Sequence, residues 1–172
     1  KIRFCNSGSE AVMLAIKAAR ARTGKFKIAK IEGSYHGIYD YAQVSEGPGP
    51  DEWGDATQPS SVIDPSVSPN IQNEVVVMPW NNIEVCGSII ERYKDELAAV
   101  VIDPLPANVG WIAPKPGFLE SLRKITQEYG ILLISDEVIS FRTSYKGACQ
   151  EYAIKPDITA LAKIIGGGFP VG

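Results

Sequence analysis

The chain has 172 residues, of which 45% are hydrophobic and 22% charged, with a formal net charge of −3 at pH 7. That is enough apolar material for one sizeable core, and the scattered Lys and Arg give no basic footprint for nucleic acid or an anionic membrane. Cys5, Cys86 and Cys149 form no CxxC pair and His36 is the only histidine, which argues against a metal site and fits a reducing cytoplasm.

No apolar run approaches the roughly 20 residues of a membrane helix, and the first five residues are not a signal peptide. The chain has no initiator Met and both ends fall inside apparent structural units, so a fragment or processed chain is expected. Residues 2–5 read as a short strand running into Asn6-Ser7-Gly8-Ser9-Glu10. Val12, Ala15, Ile16 and Ala19 then recur at helical spacing as far as Gly24. Free amides at that helix start, with the hydroxyls of Ser7 and Ser9 beside Gly8, suit a phosphate; an N-cap explains the same residues.

Residues 27–32 alternate charged and apolar side chains, the pattern of a half-exposed strand, and Tyr35-His36-Gly37 punctuates its end. The tyrosine ring there could stack on a planar heterocycle or simply pack. Residues 38–73 are rich in Pro, Gly, Ser and Asp, too long for an ordinary connection and typical of an active-site lid or mobile segment. Strands follow at 74–78 and 98–102, with a helix between them at 82–93 carrying Cys86, Ile90 and Tyr93 on one face. A second helix is marked by Phe118, Leu122, Ile125 and Tyr129 and ended by Gly130. Residues 131–135 form a continuously apolar strand leading to Asp136, and residues 157–161 lead to Lys163 and Gly166-Gly167-Gly168. The fold class expected is α/β, a mostly parallel sheet with helices on both faces.

Asp136 and Lys163 carry the chemistry together. A carboxylate held at a pyridine nitrogen, with a lysine amine about one crossover further on, is what a protein needs to hold pyridoxal phosphate as a Schiff base and keep its ring protonated. Taken singly, Asp136 could be an N-cap or a structural ion pair, and Lys163 a surface group. The triple glycine lacks the Gly-x-Gly-x-x-Gly spacing of a dinucleotide fold, which sets a Rossmann dehydrogenase aside.

The motifs Asn6-Ser7-Gly8-Ser9-Glu10-Ala11-Val12, Tyr35-His36-Gly37, Lys115-Pro116-Gly117-Phe118-Leu119, Asp136-Glu137-Val138 and Lys163-Ile164-Ile165-Gly166-Gly167-Gly168 resemble, in this order, the class III or omega aminotransferases of fold type I. Their closest likeness is to the glutamate-1-semialdehyde 2,1-aminomutase branch. The resemblance implies that residues 1–172 are the central part of the family's large, pyridoxal 5'-phosphate-binding domain, incomplete at both ends. It implies Lys163 as the Schiff-base lysine, Asp136 at the pyridine nitrogen, Tyr35 and Val138 on the two ring faces with His36 beside them, and Ser7, Gly8 and Ser9 at the phosphate. Asn108 matches the family position that hydrogen-bonds the cofactor's phenolic oxygen.

The implied activity moves an amino group between an amine or amino acid and a carbonyl acceptor, in a homodimer or in association with further segments. Three departures put the substrate in doubt: Ile38 where the aminomutases have a second histidine, Asp103 for a glutamate before proline, and Ser140-Phe141-Arg142 without a usual glycine. Two other readings stay open here, an intramolecular aminomutase and a non-catalytic scaffold of the same fold.

Overall fold

The structure is a computed structural model and describes residues 1–55 and 57–172. Strands β1 (Lys27–Ile31), β2 (Val75–Met78), β3 (Leu97–Ile102), β4 (Leu132–Asp136) and β5 (Ile158–Ala160) form one all-parallel sheet in the order β2-β1-β3-β4-β5. The central strand β3, Leu-Ala-Ala-Val-Val-Ile, is buried at every position, as a parallel strand covered on both faces must be.

Helix α1 (Gly8–Thr23) covers one face against β3, β4 and β5, while α2 (Ile83–Tyr93) and α3 (Phe118–Glu128) pack on each other over the opposite face. A one-turn helix α4 (Ala148–Glu151) follows β4. The apolar stripe read from the sequence, Val12, Ala15, Ile16 and Ala19, is the buried face of α1. Cys86 and Ile90 of α2 and Phe118 and Leu122 of α3 are likewise buried. Gly24 (φ 72°) ends α1 in the left-handed conformation that a side chain disfavours, its N–H bonding to the Arg20 carbonyl.

That turn returns the chain to the start of β1, so α1 runs antiparallel to the strands. Its N-terminus therefore sits beyond their carboxyl ends, where Gly8 abuts Val138 and Ala162.

Two sequence expectations fail. Residues 2–5 are not a strand: Ile2 and Phe4 are 83% and 74% exposed, and their only backbone pairing among the described residues is a reciprocal couple of hydrogen bonds between Cys5 and Gly172. A strand needs a continuous neighbour for its ladder, and one residue pair does not supply it. The second failure is β1, which is not half-exposed: Lys30 is only 1% exposed, because residues 34–44 fold over the face that alternation assigned to solvent. The long segment 38–73 holds short 3-10 turns at Asp40–Ala42, Pro50–Glu52 and Pro69–Glu74, and Ala42, Val44 and Ser45 within it are buried.

Candidate active site

Parallel strands that end together leave their carboxyl ends open, and this is where ligands bind in open α/β sheets. A cleft of about 350 Å³ lies there. It is lined from the start of α1 (Ser7, Gly8, Ser9), the segment after β1 (Tyr35, His36), the ends of β3 and β4 (Asp103, Asp136, Val138) and the segment after β5 (Ala162, Lys163). Ser7 and Lys163, 156 positions apart in sequence, thus meet in one place. Phe169, Pro170 and Val171 add an apolar wall, and none of the described residues of 38–73 lines the cleft.

Asp136, the last residue of β4, is 6% exposed. Its Oδ2 lies 2.9 Å from His36 Nδ1, and its Oδ1 accepts the Val138 N–H at 3.1 Å. An ionised carboxylate only accepts, so a hydrogen bond between the two in that state requires the proton on Nδ1. Two bonds leave part of the carboxylate's acceptor capacity free for a donor in the cleft. The other imidazole nitrogen, Nε2, is buried without a partner among the described residues. Beside this pair, Asp103 follows directly on β3, and its Oδ1 accepts from Leu105 N at 3.0 Å and Ser140 Oγ at 3.2 Å. Burial, reinforced by the charge of Asp136, pushes the Asp103 carboxyl up to about 6.

The N-terminus of α1 opens on the cleft: Ser7, Gly8 and Ser9 line it at the start of a sixteen-residue helix, an arrangement that suits an anion. Ser7 is also the N-cap, its Oγ accepting from Glu10 N at 3.2 Å, while Glu10 Oε2 reaches back to Asn6 N at 2.7 Å. Of the two explanations offered by the sequence for Ser7, the hydrogen bonds show the N-cap, and capping leaves the preceding first-turn amides without an intrahelical acceptor. Ser9 Oγ accepts from Ile38 N at 3.3 Å, tying α1 to the segment that carries Tyr35 and His36.

Lys163 opens the 3-10 turn Lys163–Gly166 with φ 52°, a left-handed backbone conformation that costs a non-glycine residue about 1–2 kcal/mol. Strain of this kind is retained where the surrounding structure demands it, and here it sets the lysine at the cleft rather than on a continuing strand. Asn108 stands apart: it is not among the residues lining the cleft, and its amide donates to the Gly33 carbonyl at 2.5 Å, bracing the strand end just before Tyr35.

The lining suits a planar, phosphorylated pyridine aldehyde. It offers a buried anion, a helix N-terminus flanked by hydroxyls, an aromatic ring and one primary amine in a single cleft. Asp103, Ala162 and the wall of Phe169 to Val171 were not singled out as site residues from sequence. Asp103 alone left a signal, since it is an acidic residue immediately following a fully apolar strand. No group of three or more metal-ligating side chains occurs among the described residues, and no helix there is long and apolar enough to cross a membrane.

A model of the family described as Aminotransferase class-III matches residues 1–172. Among solved structures, an omega-transaminase from Sphaerobacter thermophilus is 49% identical, with a TM-score of 0.90 over 99% of this chain and 39% of that one. A transaminase with PLP bound is 40% identical, with a TM-score of 0.89 over 99% of this chain and 38% of the other. A glutamate-1-semialdehyde-aminomutase from Pseudomonas aeruginosa PAO1 is 26% identical, with a TM-score of 0.83 over 98% and 36% of the two chains. The chain thus spans about two-fifths of the length of the first of these structures. With the cleft, the parallel sheet and a family match over its whole length in agreement, the chain belongs to the class III aminotransferases, a family that uses pyridoxal phosphate.

Proposed function

We propose that these residues form the cofactor-holding core of a pyridoxal phosphate-dependent aminotransferase, which moves an amino group from an amine or amino acid to a carbonyl acceptor. The observation that carries this reading is the meeting of the Lys163 amine, the buried pair of His36 and Asp136, and the N-terminus of α1 in one cleft. Bound there, pyridoxal phosphate would supply an electrophilic aldehyde carbon and an electron-withdrawing ring.

The chain's own groups divide the remaining work. Ser7, Gly8 and Ser9 would hold the phosphate through backbone amides and the Ser9 hydroxyl, assisted by the helix dipole, whereas the Ser7 hydroxyl donates to Glu10 Oε2 at 3.2 Å. Asp136 presents a fixed anion that favours a protonated pyridine nitrogen, and His36 Nδ1 fixes the rotamer of that carboxylate. Tyr35 and Val138 would flank the ring. Among the described residues Lys163 is the only lysine lining the cleft, and its amine, when free, would be the base that takes up a proton and the acid that returns it.

The two transaminases at 49% and 40% identity, against 26% for the aminomutase, favour transfer between two molecules over transfer within one. The unpaired cysteines fit a cytoplasmic setting. Exposed Phe4, Tyr145 and Phe169 fit a homodimer or cover by further segments.

The test is covalent trapping. Borohydride added to the intact protein with pyridoxal phosphate should fix one cofactor on the peptide containing Lys163. Labelling that persists in Lys163→Ala overturns the assignment.

A further inference from the structure

Lys30 is the one fully buried lysine of β1, and the cleft does not touch it. Its Nζ donates to the carbonyls of Ser34 at 2.8 Å, Ala42 at 2.9 Å and Val44 at 2.6 Å. An ammonium has three hydrogens, so its donor capacity is matched by three acceptors, all from one segment. That segment, residues 34–44, carries Tyr35 and His36 and contains no strand or α-helix of its own. Apart from the 3-10 turn at Asp40–Ala42, its backbone depends on partners outside itself. At its start, the Gly33 N–H bonds to the Ser45 carbonyl at 2.8 Å and the Gly33 carbonyl accepts from Asn108, so the loop is pinched shut at its neck. Within the neck, Lys30 holds three of its carbonyls from the inside.

We propose that Lys30 is a positioning residue for the cofactor site: an internal strut whose nitrogen fixes residues 34–44 and thereby sets Tyr35 and His36 against the cleft. The role rests on the aminotransferase reading given above, but the geometry it acts through belongs to the chain without ligand. Burying an amine is costly, and burial pulls the Lys30 amine down to about 7 even with the Glu46 charge opposing it. An apolar residue would fill the same space without that cost but would strand three buried carbonyls. Lys30 touches no cleft residue by its nitrogen except through Ser34, the neighbour of Tyr35. Its influence on the site is through backbone.

The test compares the intact protein with Lys30→Met, which keeps the stem and removes the donors, and with Lys30→Gln, a milder variant should Met prevent folding. Hydrogen exchange of the ligand-free protein is the first readout. Exchange over residues 33–46 should accelerate by about tenfold or more, the equivalent of one stranded carbonyl, while peptides from β3 and β4 stay as protected as in the parent. Acceleration shared equally by the whole sheet, or none at all, overturns the proposal.

The second readout is a double-mutant cycle on pyridoxal phosphate affinity with Tyr35→Ala. Lys30→Met should weaken binding by roughly tenfold in the parent and clearly less once Tyr35 is gone, because both act through the same wall. Losses that simply multiply assign Lys30 to general stability and refute the strut. A parent protein that binds no pyridoxal phosphate would sink the aminotransferase reading instead, and the exchange experiment would still decide the strut.

Discussion

Replacing Asp136 by Asn separates what the carboxylate does for the fold from what it does for chemistry. Two bonds are at stake, to His36 Nδ1 at 2.9 Å and from Val138 N at 3.1 Å. An amide has one oxygen, so it accepts from one of these donors and turns its NH₂ toward the other. Losing a hydrogen bond to a charged group costs about 1.5–3 kcal/mol, but Asn also avoids the desolvation of a buried carboxylate, which is worth several kcal/mol. The two effects oppose each other, and Asp136→Asn should keep the parent's stability to within about 2 kcal/mol. Asp136→Ala escapes the same desolvation, but it strands both donors and leaves a cavity, and should cost about 2–4 kcal/mol. Catalysis responds differently, because the fixed anion goes in both variants. Removing one preorganised electrostatic partner typically costs a hundredfold or more, about 2.7 kcal/mol of barrier. Urea unfolding of both variants, run beside initial rates of amino transfer in the intact protein, tests this. If Asp136→Asn keeps more than about a tenth of the parent turnover, or destabilises as much as Ala, the assigned role of the anion is wrong.

Two further perturbations follow from the same edge of the sheet. Gly8→Ala would place a Cβ 2.9 Å from Val138 Cγ1 and 3.4 Å from Ala162 Cβ. The overpacking cost of about 1–3 kcal/mol should exceed the ~1 kcal/mol gained in helix propensity, so thermal melts should show a net loss that Val138→Ala relieves. Asp103, raised from 3.8 to about 6, binds its proton more tightly folded than unfolded, so its contribution to stability is full below pH 3.8 and disappears as pH rises through 6. Asp103→Asn should therefore stabilise the protein by up to about 3 kcal/mol at neutral pH and by nothing near pH 4, which denaturant titrations at the two pH values would show.

What the sequence disclosed depended on the range of the interaction involved. The stripe of α1 and the continuous burial of β3 follow from periods of 3.6 and from unbroken apolar runs, which are local properties. Asp136 stood out for a different reason, since an acid at the end of an apolar strand is costly to bury without a partner, and Lys163, an exposed residue, drew notice only together with it. The partner of Asp136 was not legible. His36 lies 100 positions away, and only the parallel β1, β3 and β4 bring it alongside. Lys30 misled for the same reason: alternation in β1 pointed it at solvent, whereas the fold covers that face with carbonyls from 34–44. Residues 2–5 show the converse, β-prone residues without a neighbouring strand to complete a ladder.

The charges of the cleft also give it a direction. Asp136 holds negative charge at the end of β4, whereas the N-terminus of α1 and Lys163 present positive ends. A ligand carrying a phosphate and a protonatable ring nitrogen matches these signs in one orientation only. Reversed, its phosphate would face Asp136. Two like unit charges 4 Å apart repel by about 4 kcal/mol at an effective dielectric of about 20, close to a thousandfold in affinity, and a phosphate brings more than one charge. Steric fit alone would not impose this, because an open cleft tolerates rotation. That orientation would follow from helix direction: α1 runs antiparallel to the strands, so its positive end and the acid-bearing end of β4 share the same edge of the sheet.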